Sequence, residues 1–524
     1  MYIKKRVLVI FAYALLLLPI SVFLVSWLKL WIGIPALLIL VAGTVWLVRK
    51  DYSGAQSSLT MPIGHLIGIV ALFGVVVALS GIAGIGVSGY DVPWRNAIFH
   101  DLIDYSWPVI YDNGNALVYY CTFWLPAALV GKLFGWISGL IALWVYALAI
   151  ITVSYLLVML YLDISTPGKL WLGALFVVFW SGMTFLGAAI MSVLGWNLYD
   201  YRLLTDGTSY CDGFFNGESF NWVYRSNFIT LQMTYNQLLL WLAVPLMLMN
   251  RKAHSYLHLG LLVMPYSPWG FIGIIPLLVV CAWPDMASKL KKKQVKEFFL
   301  SLFSPANVAA VVVLVPIFAL YFLVSTRAGG AASASIISAD QVAAAQAAGL
   351  PYTTQTGVFG FLSFDRFDYR NLCALFIFYL IEFGAYMALI RPKYRRKPLF
   401  IAVFVVLLMV PLMWVGTIGG RDFCMNGSLP ALYVLMILTL AYVKDELCGK
   451  ALGVRGLCLI IALFLGFIGP VYSMFGRMQA MKEEHSLTII DDHIRTLSDK
   501  SLQDYSNFII ENPENTPFFK YIAR

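Results

Sequence analysis

Charge is what this 524-residue chain has least of: Asp, Glu, Lys and Arg together make up 12% of it, against roughly 25% in soluble globular proteins. So little charge cannot cover a water-facing surface of this length, which excludes an ordinary soluble enzyme or binding module. Histidine is scarce, with 6 residues, and the 7 cysteines include no CxxC pair, so neither a zinc site nor a redox motif is supported. Cys121, Cys281, Cys373 and Cys458 fall in or beside apolar runs and read as small buried hydrophobes; Cys211 and Cys424 fall in loops expected outside, where a disulfide could survive. No repeat period runs through the chain, which argues against a solenoid and against an obvious inverted-repeat transporter.

What is present is apolar: 60% of the residues are hydrophobic and the mean hydropathy is +0.80. Runs of about 20 apolar residues recur from end to end, and in a bilayer such runs must be helices, because no water satisfies an exposed backbone. A membrane barrel would alternate instead. The expected fold class is therefore an all-α polytopic membrane protein, with about 11 full transmembrane helices plus two broken or re-entrant segments. The net charge of +9 comes from basic residues in short loops between runs, where they report orientation rather than a nucleic-acid partner.

The run Val7–Trp27 follows Lys4, Lys5 and Arg6 and reads as a retained first helix with a cytoplasmic amino terminus. Leu30–Val48 returns to Arg49 and Lys50, Pro62–Val87 goes out, Leu117–Phe134 comes back past Lys132, and Ile137–Leu162 goes out again. Leu170–Met191 and Tyr256–Trp283 then break the parity of the crossings. Their centres, Trp180-Ser181-Gly182-Met183 and Met264 to Gly270, are natural breaks, and each segment is predicted to be a re-entrant hairpin beside an internal site. Later crossings are Val308–Val324, Asn371–Ile390, Leu399–Thr417, Ala431–Val443 and Leu457–Met474. Residues 1–474 form the membrane domain, with a first long outer loop at 88–116 carrying interfacial helices and an outer loop at 325–370. The Ala, Gly and Ser-rich half of the latter reads as a flexible linker or as a mobile lid. Residues 475–524 are expected as a small helical extracytoplasmic tail.

The stretch Gly89–Pro126 gathers Asp91, Arg95, His100, Asp101, Asp104 and Asp112 in an otherwise greasy chain. An enzyme that moves a sugar from a lipid phosphate needs a carboxylate to take the acceptor proton, a cation for the departing phosphate, and aromatic surface. Asp91 follows the third span within a few residues and is the expected general base. Asp101 and Asp104 share a helix face near His100, either as a site or as the solvated side of an amphipathic helix. His100 lacks partners at metal-ligand spacing, so no metal site is assigned and the only cofactor left open is a divalent cation. Donor-phosphate candidates are Arg421, Arg370 and Arg225, because a guanidinium grips phosphate with two parallel bonds; an Arg421–Asp422 pair is the alternative. Trp94, Arg95, Asp422 and Gln237 complete the expected substrate-binding set. Gln232, Asn236 and Gln237 occupy positions where apolar residues would be expected, which places them against a cavity or another helix.

The outer loop GYDVPWRNAIFHDLIDYSWPV, with YYCTFWLPAALVGKLFG, FVVFWSGMTFLG, FITLQMTYNQLLLWLAV and RDFCMNGSLPAL, resembles the C-type (GT-C) glycosyltransferases, bacterial envelope enzymes that use polyprenyl-phosphate sugars. The resemblance spans residues 89–434. It implies that Asp91 is the base, with His100 and Asp101 as helpers. It also implies a donor phosphate held by the late loop, where Asn426 stands in place of the family's arginine and shifts that role to Arg421. The implied activity is inverting transfer from a polyprenyl-phosphate sugar to a lipid-linked glycan or a protein on the outer face of a bacterial inner membrane. A transporter or flippase of a lipid-linked saccharide, and an O-antigen polymerase or ligase, are the competing readings.

Overall fold

In the computed structural model the basic stretches at residues 49–52, 251–254, 285–289 and 391–397 meet at one end of the helix array. The described residues are 1–54, 57–82, 84, 86–87, 92–194, 215–216, 221–323, 359–361, 369–415, 421–447, 453–486, 488–489, 496–498 and 508–524. Among them, 8 helices are long and apolar enough to cross a membrane, and sheet is confined to pairings of two or three residues, so the chain is an all-α multi-pass membrane protein. The early helices are α1 (Lys5–Ser26), α2 (Leu30–Tyr52) and α3 (Ile63–Leu79), then α4 (Val92–Asp104), α5 (Leu125–Phe134) and α6 (Trp136–Tyr161). The middle is built from α7 (Pro167–Phe179), α8 (Thr184–Val193), α9 (Asn227–Met233), α10 (Leu240–Met249), α11 (Ala253–Val263), α12 (Pro268–Lys291), α13 (Val295–Leu302) and α14 (Pro305–Leu323). The last third holds α15 (Tyr369–Tyr379), a π-helical turn (Leu380–Gly384), α16 (Ala385–Tyr394), α17 (Pro398–Met409), α18 (Arg421–Gly427), α19 (Leu429–Tyr442) and α20 (Val454–Glu483).

The basic end is tied together by buried or half-buried acids. Asp51, at the end of α2, pairs with His254 (2.8 Å) and accepts from Asn250 Nδ2 (2.7 Å). Asp285 binds Lys289 (2.7 Å), lies 4.0 Å from Lys252 and accepts from the Ala253 backbone N–H (3.1 Å). Arg251 donates to the Tyr161 hydroxyl (3.2 Å), Lys444 to Leu162 O (2.7 Å), and Lys393 pairs with Asp445 (2.7 Å). The ends of α2, α6, α10, α12, α16 and α19 and the start of α11 thus share one level.

The opposite end is assembled from chain segments far apart in sequence. Residues 86–87 pair with 488–489, and 116–117 with 509–510. The turn between α1 and α2 is closed by Lys29 N–H on Ile522 O (3.0 Å) and Arg524 N–H on Trp27 O (2.9 Å). Lys132 Nζ caps the interfacial helix α4 through Ile103 O (3.0 Å) and Tyr105 O. The segment 475–524 is therefore tied into this end rather than standing apart from it. α20 runs through residue 474 to Glu483, and the described residues beyond it combine two-residue strands, paired with 86–87 and 116–117, with single helical turns at Pro513–Asn515 and Phe518–Ile522.

Two expectations about crossings are corrected. Leu117–Phe134 does not cross: Leu117 is in the 509–510 pairing and Lys132 is bonded to α4, so both ends lie at the tail end. Between them the chain dips inward, placing Phe123 on Tyr146 (ring centroids 5.4 Å), ten residues down α6, then returns along α6 through a turn at Gly135, whose φ of +89° only glycine adopts without strain. Fourteen helical residues reach only about 21 Å, short of the ~30 Å hydrocarbon core. Consequently α6 runs towards the basic end, and the parity that seemed to need a hairpin at Leu170–Met191 is already satisfied. α7 and α8 are broken at the expected place, but they do not lie side by side: α7 packs on α3, α6, α9 and α19, α8 on the π-helical turn, and both lie along α20. They form one broken crossing. The second break, at 264–267, does turn a hairpin: α11 lies along α12, and Ala253 meets Asp285 at its base. Cys373 and Cys458, expected to be buried, are exposed on the outer faces of their helices, since lipid accepts an apolar surface as readily as a core does.

Single-cysteine labelling in sealed vesicles checks this arrangement. Phe134→Cys and Glu484→Cys are expected to react with a membrane-impermeant maleimide from the same side, and Asp163→Cys from the other. Labelling of Phe134→Cys and Asp163→Cys from one side would refute the re-entrant reading.

Candidate functional site: interrupted helices around buried arginines

The interruptions meet one another in the interior. The carbonyl of Trp180, freed where α7 stops, accepts from Asn227 N–H (2.9 Å), and Asn227 Nδ2 reaches Val177 O (2.8 Å). Ser181 O accepts from the Tyr386 hydroxyl (3.1 Å). At the re-entrant tip Thr122 donates to Pro265 O (2.8 Å) in the turn of the α11–α12 hairpin, and Trp124 Nε1 to the Tyr235 hydroxyl (2.9 Å). Ser267 donates to Gln237 Oε1, and Cys424 Sγ to Val223 O (3.6 Å). Gly273 sits so close to Gly427 that an added Cβ would lie 1.9 Å from its carbonyl oxygen. Each broken piece thus supplies the hydrogen bonds that another lacks.

At the centre lies the break between α9 and α10. Ser226 caps α9 by accepting from Ile229 N–H (3.1 Å), and the helix ends after seven residues at Thr234, whose backbone is extended away from helical values. Arg225 Nη1 donates to Thr234 Oγ1 (3.2 Å), and the Arg95 guanidinium stands 5.9 Å from the Tyr235 ring centroid. Two buried arginines therefore flank one dipeptide. Gln232 Oε1 accepts from Ser473 (3.1 Å) on α20, and the buried Arg477 lies one turn further along that helix, on the same face. Gln232 Nε2, Asn236 Nδ2 and Asn426 Oδ1 are buried with no hydrogen-bond partner among the described residues. Unfilled amide positions are uncommon in a packed interior, where each costs about 1–3 kcal/mol. The two donors among them, Gln232 Nε2 and Asn236 Nδ2, together with the guanidiniums are groups able to bind an oxygen-rich anion.

The structure separates the residues expected from sequence. Arg225 and Arg95 come together, and Gln237 stands beside them, committed to Ser267. Trp94 faces the other way, against Phe508 (ring centroids 5.7 Å). His100 is 42% exposed, pairs with Asp104 (3.0 Å) and rests on Trp136, while Asp112 is exposed. Asp101 is fully buried and accepts from Tyr111 (2.9 Å) and from Leu497 N–H (2.9 Å), fastening the tail to the loop. Asp91 lies outside the described residues. Arg421, Asp422 and Arg370 lie on helix backbones whose side chains are not described. Of the expected Cys211–Cys424 pair, Cys211 is outside the described residues and Cys424 is a free buried thiol. Among the described residues no group of three or more His, Cys, Asp or Glu could hold a metal ion.

Sequence reasoning passed over two buried charges. Arg477 falls in a stretch read as the start of the tail. Glu382 interrupts the apolar run of α15 and α16 at the π-helical turn, is 2% exposed, and accepts from Thr184 (2.9 Å) at the α7–α8 break. A Cβ on Gly182 would lie 2.1 Å from its Oε2, so the break is shaped to admit the carboxylate. A lone carboxylate in an apolar run, or a π-turn, marks function often enough to have flagged it. Comparison of the chain with protein-family models, with curated proteins and with solved structures returns no match.

Burial pushes the Asp101 carboxyl above the usual carboxylate range, held back by hydrogen bonds from Thr496, Leu497 and Tyr111 and by the nearby His100. A carboxyl with a raised folded-state value takes up a proton on folding, so its contribution to stability falls as pH rises from the ordinary value through the raised one. Asp101→Asn is expected to flatten thermal-midpoint-against-pH across that window, and Asp101→Ala to lower the midpoint at all pH values, by about 1 °C for each kcal/mol lost. An unchanged midpoint in Asp101→Ala would show that the tail is not held there.

Proposed function

We propose that this protein is a glycosyltransferase of the GT-C type, acting on a polyprenyl-phosphate sugar and a lipid-linked glycan or protein acceptor at the extracytoplasmic side of a bacterial inner membrane. The observation that carries the reading is the set of unfilled amide positions of Gln232 and Asn236 beside the Arg225–Thr234 and Arg95–Tyr235 contacts. A lipid phosphate sugar offers what such a surface takes: an anionic phosphate for arginine, and hydroxyls for amides. Broken helices held inside a membrane protein line cavities in many such proteins, and the re-entrant 117–134 segment brings aromatic surface to the same place. In this reading Arg225 and Arg95 hold the donor phosphate, with Arg421 and Arg370 at the rim. Asp91, the residue immediately before α4, takes the acceptor proton in an inverting displacement, after which the lipid phosphate leaves. Asp101 acts on position by anchoring the tail against α4.

Two variants test the division of labour. Arg225→Gln is expected to weaken binding of a polyprenyl-phosphate sugar by about 10- to 100-fold, the value of one or two charge-assisted bonds. Asp91→Asn is expected to keep donor binding and lower transfer by about 100-fold or more. Full transfer activity in a folded Asp91→Asn variant, or unchanged donor affinity in Arg225→Gln, would overturn the assignment.

Glu382 supports a second reading, a transporter of a lipid-linked saccharide. A buried carboxylate joined to a broken crossing is the kind of group that couples a proton to a conformational step. Counterflow of a lipid-linked saccharide in proteoliposomes without bond cleavage, abolished in Glu382→Gln, would favour it over transfer.

A further inference from the structure

A groove of about 650 Å³ opens between α16 and α17 at the basic end of the protein. Its mouth carries Arg391, Arg395 and Arg396, and its walls include Phe400, Ile401 and Phe404. Ile401 and Phe404 are 51% and 43% exposed, so the apolar side of the groove faces outward, where lipid lies in a membrane protein.

Part of the positive charge at this end is matched by acids. Lys393, between the arginines in sequence, is taken by Asp445 (2.7 Å) and Glu446 (3.5 Å). Lys252 and Lys289 share Asp285, and His254 takes Asp51. The three groove arginines stand apart from this pairing: among the described residues no carboxylate lies within the 4.0 Å of an ion pair from any of them. Three guanidiniums at one end of an outward apolar trough match one kind of molecule, a phosphate carrying a hydrocarbon chain. We infer that the α16–α17 groove is a binding site for an anionic phospholipid, whose headgroup phosphate is held by Arg391, Arg395 and Arg396 and whose acyl chain lies along Phe400, Ile401 and Phe404. The inference does not depend on the proposed transferase activity.

Basic pockets between helices at the positively charged end of a membrane protein hold anionic headgroups by this combination of charge and depth. Charge alone would be diffuse, and an apolar wall alone would not choose among lipids. The site gives the protein a fixed lipid beside α16 and α17, in a groove lined at its far end by Gly384, the last residue of the π-helical segment and two residues from Glu382.

Native mass spectrometry of the full chain in neutral detergent, titrated with dioleoylphosphatidylglycerol or dioleoylphosphatidylcholine, tests it. The expected result is retention of one phosphatidylglycerol about tenfold more tightly than phosphatidylcholine. The Arg391→Gln, Arg395→Gln, Arg396→Gln triple variant is expected to lose that preference. The Lys291→Gln, Lys292→Gln, Lys293→Gln variant removes the same charge from an exposed stretch outside the groove and is expected to keep it. Ile401→Trp, which fills the trough and leaves the arginines, is expected to weaken lipid retention by about tenfold as well. Equal loss in the lysine variant would overturn the site in favour of diffuse charge. Displacement of the lipid by inorganic phosphate at matching concentration, with no effect of Ile401→Trp, would make it a free-phosphate site. Absence of any phosphatidylglycerol preference would remove it altogether.

Discussion

A peptide group released from a helix inside a bilayer has no water to turn to, and that constraint governs the interior of this protein. Four apolar segments stop part-way, at Trp180, Thr234, Met264 and the 121–124 turn. None could persist alone. Each persists because the next supplies its missing partner: Asn227 for Trp180, Thr122 for Pro265, Ser267 for Gln237. The polar side chains that look out of place in an apolar chain are the means of joining the breaks.

The two ends obey different rules. At the basic end, acids near the helix termini gather lysines and histidine into half-buried pairs that hold helix ends at a common level. At the other end the closures are backbone ladders of two residues and single side-chain bonds, such as Asp101 to Leu497. An ion pair tolerates variation in the length of the loops that carry it. A two-residue ladder fixes register, so at the tail end the pairings at 86–87 and 116–117 hold the chain in register on either side of α4.

Of the four breaks, those at Thr234 and 121–124 carry no local signal, whereas the other two were legible because their causes are local: glycine at 182, prolines at 265 and 268. Depth was not. Leu117–Phe134 is apolar and carries a lysine near its end, as a crossing would, and only the contact of Lys132 with α4 shows that it turns back. Once it was counted as a crossing, arithmetic required a spurious hairpin at Leu170–Met191. The ladders of the tail carry no periodic pattern that could have announced them. The site was legible in kind, since amides and an arginine on the α9–α10 segment stand out against their apolar surroundings. Its membership was less so: Asp101 looks like a helper beside Asp91 in sequence, yet its burial against Leu497 comes from a segment almost four hundred residues away. Arg95 and Trp94, adjacent in the sequence and read together as substrate-binding residues of an outer loop, part company: Arg95 is buried near Tyr235 and Trp94 packs on Phe508.

The closure of the α1–α2 turn bears on how the molecule is made. Lys29 leaves the ribosome well before its bonding partners Lys520 and Tyr521, which lie 491 and 492 residues later. The first helical pair must therefore be inserted and wait with that turn uncovered while the rest of the chain is threaded through the membrane. The tail end becomes a finished surface only when the 520s arrive, so a chain truncated before them would keep every apolar helix and still lack the clasp on its first hairpin.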